Sequence, residues 1–345
     1  MELIKFFSRI VASIICLQFI IALLAGDFQM FIIGLILYGP FVVFIFLFDI
    51  TKKKITLVKE KKYLIYIYIL ISCLTIYELS SIEQIGTLSI LQGIPNLGLV
   101  FKSVTVFLPS LTWLLIKNGL SRKRWLYLLI YSIIAIYAST IILSKAIILP
   151  LGLLFLYSLK SKRIAIVVVI PFILLVLALM YESRGSSFNE LPRLILYRFP
   201  GFNEMKVIFE YLFVEGNLIY DWWNIAGDNT VRITEKVFKF TSFKIGIAPG
   251  LFGFYILYFS VFAFPLFMLT SLFYRSYMQS LKNSSFLGLV LESIWTFELL
   301  SFVIDGVPHF IYSTSGALLF KLLFIISTLL IILKLCYPKK KKYIL

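Results

Sequence analysis

Side chains able to hold a phosphate recur at one end of a series of apolar stretches. Lys102 stands near the start of one stretch, and Lys145 occupies the tight turn Ser144-Lys145-Ala146 between two others. Arg184 closes a further stretch in Glu182-Ser183-Arg184-Gly185, followed by Arg193, Arg198, Lys206, Arg232, Lys236, Lys239 and Lys244. A guanidinium at a membrane boundary suits a phosphate, because its planar fork binds two oxygens at once. A lipid-linked diphosphate would be held at that depth with its tail in the bilayer. The competing explanation is snorkelling to lipid headgroups, which accounts for most boundary lysines and arginines.

Other groups near these cations could move protons or bind sugars. His309 is the one histidine, four residues after Asp305, and could serve as base or phosphate ligand; it could equally be a loop residue without a task. Trp222 and Trp223, flanked by Asp221 and Asn224, could stack on sugar rings while the polar pair bonds hydroxyls. An interfacial aromatic belt explains the same residues. Glu182, Glu190, Glu204, Glu215, Asp221, Asp228 and Asp305 are all candidates for a general base. Glu292 and Glu298 lie within one apolar stretch, where a carboxylate is costly in lipid. They are expected to face the interior of a helical bundle, as structural contacts or as the lining of a cavity.

The elements that must position these residues follow from composition. Of 345 residues, 61 % are hydrophobic and 14 % charged, and the mean hydropathy is +0.98. A soluble protein could not cover such a core with so few charges. The chain reads as an all-α polytopic membrane protein forming one integral membrane domain over 1–345. A net charge of +16 could suggest a nucleic-acid partner, but the basic residues fall in short runs between apolar stretches, which is the chemistry of membrane topology. Cys16, Cys73 and Cys336 lie inside apolar stretches without metal-ligand spacing, so neither zinc nor disulfide is expected. There is no phosphate-binding lysine loop, dinucleotide glycine pattern or zinc-protease motif, and no soluble domain to take a nucleotide sugar. An enzyme built this way would use a substrate already activated and already in the membrane.

A hydrocarbon core of about 30 Å takes about 20 apolar residues in a helix. Candidate spans are 10–26, 28–48, 63–82, 99–116, 125–143, 146–159, 164–181, 245–273, 286–304 and 317–336, about ten in all. Basic clusters alternate with them: Lys5 and Arg9, Lys52 to Lys62, Lys117 to Arg124, Lys160 to Arg163, Arg275 and Lys282, and the tail Lys334 to Lys342. By the positive-inside rule these clusters and both termini are cytoplasmic. The N-terminal apolar run then reads as a retained first helix. Residues 182–244, between spans 7 and 8, form a large extracytoplasmic loop of near-balanced charge. Short amphipathic helices are expected within it, one of them around the pair Lys206 and Glu210.

This layout resembles the bacterial O-antigen and capsular repeat-unit polymerases (the Wzy type). The resemblance rests on the span count, the cytoplasmic ends and the large outward loop in the second half of the chain. Three local sequences add to it. Ser144-Lys145-Ala146-Ile147-Ile148-Leu149 is similar to the family's turn of serine, a basic residue and a small residue, with Lys145 where many relatives carry arginine. Glu182-Ser183-Arg184-Gly185 opens the loop as family arginine motifs do, and Ile245 to Gly253 resembles the glycine-rich approach to the following span.

The resemblance implies a metal-independent glycosyltransferase of the membrane (GT-C-like) class, without cofactor, in the bacterial cytoplasmic membrane. Its substrate would be a polyprenyl-diphosphate-linked oligosaccharide, and a chain-length regulator is a candidate partner. Arg184, Arg198, Asp305 and His309 would be catalytic, while Lys102, Lys145, Arg193, Arg232, Trp222 and Trp223 would bind substrate. An O-antigen ligase-like transferase would use the same donor, although its relatives typically depend on a histidine that 182–244 lacks. A repeat-unit flippase is a rival from another class, to which Glu292 and Glu298 would belong. A purely structural partner in polysaccharide assembly is a further alternative.

Overall fold

The computed structural model describes residues 63–82, 97–117, 124–142, 147–158, 207–208, 210–216, 236–237, 255, 257–259, 262–282, 286–305 and 315–336, with isolated helical positions at Ile20, Leu23, Phe28, Ile32 and Leu35. Nearly all of these residues are helical, as a bilayer requires, because a helix satisfies its own backbone where water cannot. The helices are α1 (Tyr63–Ser80), α2, α3 (Arg124–Ile142), α4 (Ile148–Ser158), α5 (Ala263–Lys282), α6 (Phe286–Asp305) and α7 (Ser315–Cys336). The second of them, α2, is composite: Leu97–Lys102 and Leu108–Lys117 are α-helical, and a π-helical turn, Ser103–Phe107, joins them.

Among the described residues, four segments are long and apolar enough to cross a membrane: Tyr63–Ser80, Gly98–Lys117, Trp125–Ile142 and Leu318–Cys336. They coincide with the expected spans 63–82, 99–116, 125–143 and 317–336, and the architecture is that of an all-α membrane protein. At 11 residues, α4 is about 16 Å long, short of a full crossing. The expected span 286–304 is matched in position by α6. Spans 10–26, 28–48 and 164–181 lie largely or wholly outside the described residues.

One boundary differs from expectation. The span expected over 245–273 should end before Arg275 and Lys282, yet α5 runs unbroken from Ala263 through Arg275 to Lys282. Packing explains it. Phe267, Tyr274, Met278 and Leu281 recur at helical spacing and are all buried, so an apolar stripe continues past the point where mean hydropathy falls.

At the centre of the bundle, α2 packs against α1, α3, α4 and α6, while α6 also contacts α5 and α7. The Tyr68 hydroxyl of α1 donates to the Tyr127 carbonyl of α3 at 2.8 Å, and their rings meet edge to face. Ser110 of α2 donates to the Ser293 carbonyl of α6 at 3.2 Å, a close approach that small residues permit. Moving along α2 from Ser110 to Phe107, the aromatic stack passes through Phe320 to Trp295 of α6. Tyr63 at the start of α1 meets Phe286 at the start of α6, and Tyr68, five residues on, lies beside Thr112 near the Lys117 end of α2, so α6 begins where α2 ends and the two helices run antiparallel.

Part of the expected large loop also reaches the core. Ile208 and Val237 belong to the same buried apolar cluster as the helices. Between them a π-helical turn, Glu210–Val214, is closed by Glu215 N–H on the Glu210 carbonyl at 3.0 Å. Gly216 follows at φ 67°, a left-handed conformation that glycine adopts without a Cβ clash.

Candidate functional site inside the helical bundle

The site begins with a proline. Pro109 lies inside α2, where its ring would collide with the carbonyl of Thr105 in a regular α-helix. The backbone widens instead into the π-helical turn Ser103–Phe107, and the Leu108 N–H bonds to the Ser103 carbonyl, five residues back. That donor would serve the Val104 carbonyl in an α-helix. In π geometry the group five residues beyond Val104 is Pro109, which has no N–H. The Tyr131 hydroxyl of α3 takes that place, donating to the Val104 carbonyl at 2.9 Å with both residues buried.

Lys102 is the residue immediately before this turn. Its side chain is only 8 % exposed, and its ammonium lies 5.6 Å from the Phe101 ring centroid and 5.8 Å from that of Phe320. Snorkelling would carry the ammonium out to headgroups, whereas here it rests against aromatic faces within the bundle, where ring quadrupoles attract a cation. Phe320 is fully buried, stacking on Phe107 at 6.0 Å and meeting Trp295 at 6.1 Å. The lysine, the π-turn and the α6–α7 contact form one continuous assembly.

On its far side, α6 carries a second polar group. Glu298 is fully buried, and the Tyr274 hydroxyl of α5 donates to its Oε2 at 2.8 Å while lying 3.2 Å from the Trp295 carbonyl. Trp295 donates its indole N–H to Ser327 Oγ of α7 at 3.1 Å, and Tyr277 donates to the Phe324 carbonyl at 3.1 Å. Glu292 is also buried, with Thr296 donating to its backbone carbonyl at 2.8 Å. Both carboxylates thus face the interior, as their place in an apolar stretch required. A buried carboxylate is held only where hydrogen bonds offset its lost hydration, and Tyr274 supplies one such bond to Glu298.

Of the residues singled out from sequence, Lys102, Glu215, Lys236, Glu292 and Glu298 are described in full, with Glu215 and Lys236 exposed. Asp305 is the last residue of α6, with its backbone alone described. Lys102 lies eight residues before Ser110 and Asp305 lies twelve after Ser293, about 12 Å and 18 Å along antiparallel axes. Both therefore belong to the same end of the bundle, the end that Lys/Arg asymmetry assigns outside. Lys145, Arg184, Arg193, Arg198, Trp222, Trp223, Arg232 and His309 lie outside the described residues.

Pro109, Tyr131 and Tyr274 went unnoticed in the sequence. The proline inside a span was the available signal for the π-turn; nothing in a sequence pairs a tyrosine hydroxyl with a carbonyl 27 residues away. No group of three or more His, Cys, Asp or Glu able to hold a metal ion occurs among the described residues. Comparison of the chain with family models, with curated proteins and with solved structures gives no match.

Proposed function

We infer that the chain is a membrane glycosyltransferase that joins polyprenyl-diphosphate-linked oligosaccharide repeat units into O-antigen or capsular polysaccharide. The reaction would take place at the outer face of the bacterial cytoplasmic membrane. The observation that carries the reading is the buried ammonium of Lys102, inside an all-α membrane bundle and at the end assigned outside. A cation in that low-dielectric setting attracts a diphosphate far more strongly than one in water. The layout of about ten spans, both termini cytoplasmic and 182–244 outside, supports the same reading through its resemblance to the polymerases.

In the reaction proposed, a hydroxyl of one lipid-linked unit attacks the anomeric carbon of the growing chain. A carbon–oxygen bond forms there as the bond to the polyprenyl diphosphate breaks, and the electron pair leaves with the diphosphate. Arg184 and Arg198, with Lys145 and Lys102, neutralise the charge that develops on that leaving group. Asp305, His309 or a loop carboxylate takes the hydroxyl proton. Arg193, Arg232, Trp222 and Trp223 hold the sugars and phosphates of the two substrates.

The buried carboxylates Glu292 and Glu298 favour a second reading, a repeat-unit flippase, since transporters place ionisable groups within their helices. Deletion of the gene, with surface and lipid-linked glycans sized by gel and mass spectrometry, separates these readings. Collapse of surface material to single repeat units, with the carrier still reaching the outer face, is the result expected. Full-length polymer retained on the carrier would identify a ligase, and repeat units trapped inside would identify a flippase. Arg184→Ala should likewise abolish long polymer while the protein still inserts; polymer of normal length would remove Arg184 from the mechanism.

A further inference from the structure

The π-turn of α2 has a geometric effect on everything upstream of it. Compared with an uninterrupted α-helix, a π-turn accommodates one additional residue, and each residue of an α-helix turns the chain by about 100°. The azimuth of Leu97–Lys102 relative to Leu108–Lys117 is therefore set by whether the turn is present. With it, Lys102 points at Phe320 while Leu99, three residues earlier, is exposed. Without it, the upper segment would rotate by about one residue and carry the Lys102 ammonium off the Phe320 face.

Two groups hold the turn in place. Pro109 disfavours the regular helix, and Tyr131 caps the Val104 carbonyl that the turn leaves without a helix-internal donor. Below the turn, Ser110 fixes the lower half of α2 on Ser293 of α6, so any release of the turn moves the upper half against a stationary lower half.

We propose that Tyr131 is a positioning residue, whose hydroxyl holds the π-turn and through it sets the direction in which Lys102 enters the bundle. The functional weight of this rests on the reading of Lys102 as a phosphate-binding cation; the geometry does not. Tyr131 acts through one backbone carbonyl, that of Val104.

Thiol crosslinking in membranes tests the geometry directly. In a full-length chain with Cys16, Cys73 and Cys336 replaced by serine, the pair Lys102→Cys and Phe320→Cys reports the upper half of α2. The pair Ser110→Cys and Ser293→Cys reports the lower half. A short bis-methanethiosulfonate reagent joins each pair, and the product is read by gel after cleavage at a protease site inserted at Gly227.

Both pairs are expected to crosslink when Tyr131 and Pro109 are present. Tyr131→Phe should lower the 102–320 yield several-fold and leave 110–293 unchanged. Pro109→Ala should do the same by restoring the regular helix. In the Pro109→Ala background, Tyr131→Phe should add nothing, because Leu108 can again serve Val104. An unchanged 102–320 yield in both single variants overturns the proposal. So does joint loss of both crosslinks in Tyr131→Phe, which would make the hydroxyl a general support of the bundle. If the crosslinks behave as expected but Lys102→Met leaves polymer length unaltered, the positioning stands and the phosphate role of Lys102 falls.

Discussion

Two membrane-length helices of this protein, α2 and α7, differ in a way opposite to soluble proteins. Mean hydropathy is 1.8 in the α2 span and 2.5 in that of α7, yet 78 % of the first is buried and 11 % of the second. In water the most apolar element would occupy the core. In a bilayer the lipid is as apolar as leucine, so burial is left to the helix that brings something lipid cannot satisfy. What α2 brings is Lys102, Ser103, Thr105, Ser110 and Thr112, all buried, together with a proline. Along α7, Leu318, Leu322, Ile325, Leu329 and Leu333 are presented outward, and Phe320 and Ser327 are its buried contacts.

Several substitutions would break or sharpen that contrast. The largest effect is expected at Trp295, which lies where α5, α6 and α7 meet. Trp295→Ala removes ring contacts with Tyr274, Tyr277, Phe320 and Phe324 and the bond to Ser327, and should cost about 3–5 kcal/mol. Thermal unfolding in detergent measures it; a loss no greater than that of a lipid-facing leucine would mean that α7 is not held through this residue.

Next in size is a charge placed deeper in the span, one turn beyond Lys321. Ile325→Lys puts an ammonium on the outward face of α7, and an insertion assay should register about 2.5–3.5 kcal/mol against membrane integration. Lys102→Met in the same assay should favour integration. If Ile325→Lys inserted as readily as the native chain, the outward face of α7 would not be meeting lipid.

A smaller change is expected at Glu298. Glu298→Ala leaves the buried Tyr274 hydroxyl without its carboxylate acceptor, a loss of about 1–3 kcal/mol, whereas Glu298→Gln retains an acceptor and should lose less. Equal losses from the two, read by chemical denaturation in detergent, would show that the hydrogen bond is not what stabilises the site. Smallest of all is Leu329→Ala on the outward face of α7. It should cost under about 1 kcal/mol, because lipid replaces the lost contacts. A cost like that of a core leucine would place a protein surface against α7.

Hydropathy made α1, α2, α3 and α7 legible, since each is a long apolar run without an acidic residue in its middle. The end of α5 was not legible. It depends on the burial of Tyr274, Met278 and Leu281 in a helix that packs on α6 and α7, which hydropathy averaged along the chain does not contain. Glu292 and Glu298 could be placed inside the bundle from cost alone. Lys102 was legible as an unusual cation at the end of a span, but its aromatic surroundings were not, because Phe320 lies more than two hundred residues away. The π-turn is intermediate: Pro109 announces a disturbance, and only the arrival of Tyr131 decides its form.

That dependence bears on biogenesis. Helices leave the ribosome in chain order, so α2 is synthesised before α3. Until Tyr131 follows, the Val104 carbonyl has no donor within its own helix, and an unsatisfied carbonyl in hydrocarbon is costly. For α2, the stable inserted unit is therefore the α2–α3 hairpin rather than α2 alone. Truncating translation between Lys117 and Tyr131 would leave a helix that the membrane accepts less readily than its hydropathy suggests.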